Sequence, residues 1–204
     1  MKKTVVAITG QSGSGKSNIG RYYAEKGYTV IDCDLVARQI HTDKECMTQL
    51  CEYFGYDILT DGLIDRAKLG KKDFADADSL QKLTDITHPF IIKNILETID
   101  KSDSDIVFVD GAVIIGHEFE KYCDRFIVVI CDRSKQYERL MKRDGITLEQ
   151  AQNRIAKQTK REILLGKANY IVYNNETEKN MYNQAEYILR ALKAEQKYCC
   201  FQVL

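Results

Sequence analysis

Five runs of apolar residues recur along the chain: "TVVAIT" at 4–9, "YTVID" at 28–32, "DIVFVD" at 105–110, "RFIVVIC" at 125–131 and "NYIVYN" at 169–174. They do not alternate apolar with polar positions, as half-buried strands do. They are continuous, as in parallel strands covered on both faces. The segments between them are longer and carry helical spacing, so the pattern predicts β-α-β units around a five-stranded, mainly parallel sheet in a three-layer α/β fold. Two helix starts support this. "TDKE" from Thr42 and "TLEQ" from Thr147 each place Glu or Gln three residues after a threonine, the capping-box pattern.

Two stretches leave the strand–helix alternation. Residues 35–103 carry only helical patterns, broken at "TDG" (60–62), and read as a helical insertion. Residues 133–167 are helical and rich in charge. The pattern therefore divides the chain into a core (1–34, 104–132 and 168–195), a helical domain (35–103), a second helical element (133–167) and a tail (196–204). The sole proline, Pro89 in "ITHPF", predicts a boundary or kink in its helix.

Composition narrows the class. The 204 residues are 44% hydrophobic, enough for a real core. Lysine plus arginine equals aspartate plus glutamate, 30 against 30, so no global field holds nucleic acid or an anionic membrane. Seven cysteines show no C-x-x-C pairing and read as reduced thiols rather than disulfides or a zinc site. The opening "MKKTVVAIT" stops its apolar run at Gly10, short of an export signal, and no stretch reaches the length of a membrane span. The expectation is a soluble, cytoplasmic protein, a monomer or small homo-oligomer, with neither nucleic-acid nor membrane partners.

The candidate chemistry starts at "GQSGSGKS", Gly10 to Ser17, between a predicted strand and a predicted helix. The spacing Gly10-x-x-x-x-Gly15-Lys16-Ser17 is the P-loop pattern in its required context. Gly10, Ser12, Gly13, Ser14 and Gly15 let successive backbone N–H groups surround a phosphate, and the helix N-terminus adds positive potential. Lys16 can reach the β- and γ-phosphates, and the Ser17 hydroxyl can ligate Mg²⁺, so ATP and Mg²⁺ are the expected nucleotide and metal.

Carboxylates follow the strands. "VIDCD" places Asp32 and Asp34 at the C-terminal edge of the sheet, where open α/β folds bind ligands. One can hold the metal's water shell and one can accept a proton from a hydroxyl acceptor. A helix N-cap plus a solvated charge is an equal alternative for each. Asp110 ends "IVFVD" like a Walker B carboxylate, so Asp32 or Asp110 could hold Mg²⁺ through water. Arg139 and Arg143, four apart on one helix face, suit phosphate oxygens, although a solvated face is the usual fate of such a run.

Taken in order, "AITGQSGSGKS", "VIDCDLVAR", "DGLIDRAKLGKKDFAD", "LTDITHPFI", "QYERLMKRDGITLEQAQNRIAKQ" and "IVYNN" resemble the dephospho-CoA kinase family over most of the chain. The resemblance implies a P-loop core, a helical domain receiving dephospho-CoA and an arginine-bearing lid over 133–167. It implies ATP-dependent phosphorylation of the ribose 3′-hydroxyl of dephospho-CoA, with Asp34 as base. It places Arg66, His88 and Pro89 with Asp34 on the acceptor side, Arg139 and Arg143 toward ATP phosphates, and Asn175 near the adenine. The chain departs from the family where "DGAVIIGHEFEK" replaces a proline–leucine–leucine stretch closing with a glutamate: Ala112 stands for the proline, and Glu118 is displaced. Two alternatives stay open: a related P-loop kinase acting on a nucleoside, nucleotide or other small acceptor, and a non-catalytic ATP-binding protein.

Overall fold

A computed structural model describes residues 3–73 and 77–201. Phe74–Asp76 of the "KKDFAD" block and Gln202–Leu204 of the tail lie outside the described residues. The chain divides into two compact units, Met1–Ile31 with Ser102–Leu204, and Asp32–Lys101.

The first unit is built on a five-stranded sheet of order β2-β5-β1-β6-β7. Its strands are β1 (Thr4–Thr9), β2 (Thr29–Asp32), β5 (Ile106–Asp110), β6 (Arg125–Ile130) and β7 (Tyr170–Tyr173). β1 runs parallel to β5 and to β6, and β6 parallel to β7. All five apolar runs are strands, each within a residue or so of its predicted ends. Val6, Ile8, Phe108, Ile127 and Val129 meet Ile19 and Tyr23 of α1 (Lys16–Glu25) and Met181, Ala185, Ile188 and Leu192 of α9 (Glu178–Phe201). On the opposite face Val128 packs with Ile115 and with Leu164 of α8 (Arg161–Lys167). Cover on both faces is why the strands read as unbroken apolar runs.

The Phe108 ring stacks on Tyr23 with centroids 3.9 Å apart and planes at 8°. The Tyr23 hydroxyl donates to the Ala185 carbonyl at 3.1 Å, and neither residue is exposed. We expect Phe108→Ala to lower unfolding free energy by about 3–5 kcal/mol in a urea titration. A loss below about 1 kcal/mol would contradict this packing.

The second unit holds its own core: Ile40, Cys46, Leu50, Phe54, Ile58, Leu69, Ile86 and Phe90. They come from a 3₁₀ turn (Ile40–Thr42), α3 (Lys44–Phe54), a second 3₁₀ turn (Tyr56–Ile58), α4 (Arg66–Asp73) and α5 (Ala77–Lys101), which follow α2 (Cys33–Gln39). Three details differ from the sequence expectation. "TDG" is the turn of a two-stranded hairpin, β3 (Leu59–Thr60) with β4 (Leu63–Ile64), not a plain break between helices. Asp61 and Gly62 both take positive φ, 52° and 79°, as a two-residue hairpin turn demands. Pro89 lies inside α5, so of the boundary or kink expected there the boundary is excluded, and the cap of α3 is Asp43, whose Oδ1 accepts from the Glu45 and Cys46 amides, rather than Thr42. Thr147 does form the expected capping box with Gln150.

Candidate active site

The phosphate-loop motif turns between β1 and α1 at the carboxyl end of the sheet. Gly13 and Gly15 have φ of 81° and 91°, conformations that L side chains rarely adopt. Space is a second constraint. A Cβ on Gly15 would lie 2.0 Å from Asn174 Nδ2, and one on Gly13 would lie 2.7 Å from the Gln136 carbonyl oxygen.

Lys16 opens α1, and its Nζ lies 3.6 Å from Oδ1 of Asp110 at the end of β5. Both side chains are largely buried, 16% and 8% exposed, so the cation is held over the loop rather than left to solvent. Ser17, one residue on, is exposed in the first turn of α1. A hydroxyl and a strand-end carboxylate are hard oxygen donors suited to Mg²⁺, which takes few protein ligands and completes its shell with water and phosphate oxygens. No cluster of three or more His, Cys, Asp or Glu side chains that could hold a metal ion occurs among the described residues.

The charged helical stretch is α6 (Arg133–Asp144), α7 (Leu148–Ala156) and α8, with Leu140, Ala151 and Ile155 as a small core of their own. It reaches the loop through side chains. Gln136 Nε2 donates to Ser12 O at 2.7 Å, and Gln158 pairs with Ser12 twice, accepting from its N–H at 2.9 Å and donating to its Oγ at 2.7 Å. Gln11 Nε2 donates to Thr159 O at 2.9 Å. Arg139 is brought to the loop: Nη2 donates to Asn174 O at 3.1 Å, and Nη1 stands 3.5 Å from Gly13 O and Ser14 O.

Arg143 is directed elsewhere. Its guanidinium forms two bonds with Asp144, at 2.7 and 2.9 Å, and Arg154 bonds the same carboxylate. Those bonds, Arg143's first, hold the Asp144 carboxyl down to about 2. Of the two arginines read from the motif, the structure therefore places one against the phosphate loop and ties the other to a carboxylate.

Asn175 pairs reciprocally with Asp132, accepting from its N–H at 2.7 Å and donating to its Oδ1 at 2.9 Å. It thereby fastens the start of α6. Its neighbour Asn174, 6% exposed, is the one that touches the loop, donating from Nδ2 to Ser14 O at 2.8 Å. Gln136, Gln158 and Asn174 were not legible as site residues, because a lone amide carries no spacing signal. In the divergent "DGAVIIGHE" segment, Glu118 pairs with Lys121 on the surface. Glu120 accepts from Gly116 N at 2.6 Å and pairs with Lys167 at 2.7 Å, and the Lys167 contact above all holds its carboxyl below the usual range.

The second unit carries the remaining candidates. Asp32 ends β2 and caps α2, its Oδ1 accepting from Asp34 N at 2.8 Å and Leu35 N at 3.1 Å. The strand thus stops at Asp32, and Asp34 sits in the first helical turn. The cap is the alternative weighed for these residues, and Asp32 alone takes it. No described residue donates to the Asp34 carboxylate. Arg66 is exposed at the start of α4, next to half-buried His41, whose imidazole is held below its ordinary pKa by burial and then by the Arg66 charge. His88 is half-buried and Pro89 exposed on α5. Among the described residues Cys46, Cys51, Cys123 and Cys131 are free thiols, and no helix is long and apolar enough to cross a membrane.

Comparison with known proteins bears on both units. A family model described as dephospho-CoA kinase matches residues 4–180. A dephospho-CoA kinase from Fusobacterium nucleatum is 33% identical over 187 residues, covering 91% of this chain and 97% of that protein. Among solved structures, a dephospho-CoA kinase from Campylobacter jejuni superposes with a TM-score of 0.72 at 24% identity, covering 95% of this chain and 99% of that one. A shikimate kinase from Acinetobacter baumannii shares the fold more distantly, with a TM-score of 0.55 at 16% identity over 95% of this chain and 94% of that one.

Proposed function

The chain belongs to the dephospho-CoA kinase family, which phosphorylates dephospho-CoA with ATP, and from that membership we propose that it transfers the γ-phosphoryl group of ATP to the ribose 3′-hydroxyl of dephospho-CoA, giving coenzyme A and ADP. The observation that carries this reading is the extent of the match. It runs from residue 4 to 180 and so spans the acceptor-side blocks as well as the phosphate loop, which many kinases share.

The chemistry assigns each residue a task. The loop amides and Lys16 bind the β- and γ-phosphates and stabilise charge on the transferred group. The 3′-hydroxyl oxygen bonds to the γ-phosphorus as the bond from that phosphorus to the β–γ bridging oxygen breaks, and the hydroxyl proton passes to Asp34. Ser17 and Asp110, the latter through water, would hold Mg²⁺, which supplies charge neutralisation across the phosphates. Arg66, His88 and Pro89 belong to the acceptor side, as the family blocks that contain them suggest. Arg139 and Asn175 serve the nucleotide side; Arg143 joins it by exchanging Asp144 for a phosphate oxygen.

The test is ADP release by purified protein with Mg²⁺ and ATP, with and without dephospho-CoA, with mass spectrometry of the acceptor. Release that depends on dephospho-CoA, with one phosphate gained at the 3′-hydroxyl, is the expected result. ATP binding with no stimulation by dephospho-CoA would move the assignment to another acceptor. Binding without turnover on any hydroxyl acceptor would mark a non-catalytic ATP-binding protein.

A further inference from the structure

Every peptide in the phosphate loop is trans, and in a trans peptide the carbonyl of one residue and the N–H of the next point in opposite directions. Whatever grips a loop carbonyl from outside therefore aims the following N–H inward. Ser12 O is held by Gln136 Nε2 at 2.7 Å, which directs the Gly13 N–H away from α6. Ser14 O is held by Asn174 Nδ2 at 2.8 Å, which directs the Gly15 N–H away from the turn after β7.

Both amide donors are buried, 1% and 6% exposed, and both are themselves oriented. Arg133 Nη1 donates to Gln136 Oε1 at 3.0 Å, and Arg139 Nη2 stands 3.4 Å from Asn174 Oδ1. Each arginine takes the oxygen of the amide, so the NH₂ group is the end left to face the loop carbonyl. The glycines complete the arrangement: a side chain at Gly15 would occupy the place of the Asn174 amide, and one at Gly13 would strike the α6 backbone.

We propose that Gln136 and Asn174 are positioning residues that, from outside the P-loop motif, set the direction of the Gly13 and Gly15 N–H groups toward the ATP phosphates. The proposal rests on the reading of the loop as the ATP site. Neither residue touches the reacting atoms. Their effect falls on phosphate binding rather than on the acceptor or the adenine.

The experiment uses the neutral variants Gln136→Met and Asn174→Ala, which remove the donors without adding charge. Folding is checked by circular dichroism and Tm, and binding of ATP and of inorganic tripolyphosphate is measured by calorimetry. Each variant is expected to raise Kd for both ligands in parallel, by about tenfold or more, with KM for dephospho-CoA unchanged. Folded variants that bind tripolyphosphate as the unmodified protein does would overturn the proposal, even with a lowered Tm, because the amides would then serve stability alone. Should Asn174→Ala not fold, Asn174→Leu keeps a similar side-chain volume, removes the donor and adds no charge. A parallel loss of ATP and tripolyphosphate affinity in the folded variant supports the proposal; unchanged tripolyphosphate affinity overturns it. If the unmodified protein binds neither ATP nor tripolyphosphate, the ATP-site reading itself fails and takes the proposal with it.

Discussion

Lys16→Ala is expected to lower kcat/KM by about a hundredfold to a thousandfold, the scale of removing one preorganised group that stabilises transition-state charge. Lys16 is the P-loop cation, and its surroundings explain the size of the effect. The ammonium is only partly exposed and stands 3.6 Å from Asp110, so its position is set before nucleotide binds. A charge already in place costs no reorganisation when the γ-phosphoryl group moves. No neighbour can substitute easily. The other arginines beside the loop are already engaged, Arg139 with carbonyl oxygens of Asn174, Gly13 and Ser14 and Arg133 with the side-chain oxygens of Gln11 and Gln136. A coupled assay for ADP at saturating dephospho-CoA reads the effect, and turnover within tenfold of the unmodified protein would remove Lys16 from the transition state.

Asp34→Asn is expected to lower kcat by about a hundredfold to ten-thousandfold, the usual contribution of a general base, while leaving ATP affinity unchanged. The local structure makes this a clean substitution. Asp32, not Asp34, caps α2, so the helix start does not depend on the second carboxylate. Asparagine keeps its size and removes only the charge and the proton acceptor. Stability should therefore hold while turnover falls. Steady-state kinetics paired with ATP calorimetry separates the two effects, and near-normal turnover would show that the hydroxyl gives up its proton late, without a base, as a loose phosphoryl-transfer transition state allows.

Signals contained within one element were legible in the residues. Each of the five strands is an apolar run, and the Thr147 capping box is a pattern four residues long that formed as read. The hairpin at Leu59–Ile64 was legible too: "LTDGLI" sets Asp-Gly between two short apolar-flanked arms, but the helical patterns on either side outweighed it. At Pro89, local preference lost to packing. Ile86 and Phe90 of the same helix are buried in the unit's core, and that burial carries α5 through the missing N–H.

The sequence alone determined the strand–helix alternation, the phosphate loop with Lys16 and Ser17, and the family blocks that name the acceptor. These depend on residue type and on spacings of a few positions, which a linear reading contains. Only the tertiary structure decided that Arg139 faces the loop while Arg143 turns to Asp144, that Asp32 rather than Asp34 caps α2, and that Asn174 rather than Asn175 touches Ser14. Gln136 meets Ser12 across 124 positions and Asn174 meets Ser14 across 160. Such pairs form because β1, β6 and β7 lie side by side in one parallel sheet. Parallel order brings the ends of distant strands to the same edge, and nothing in the spacing of residues along the chain records which of them will meet there.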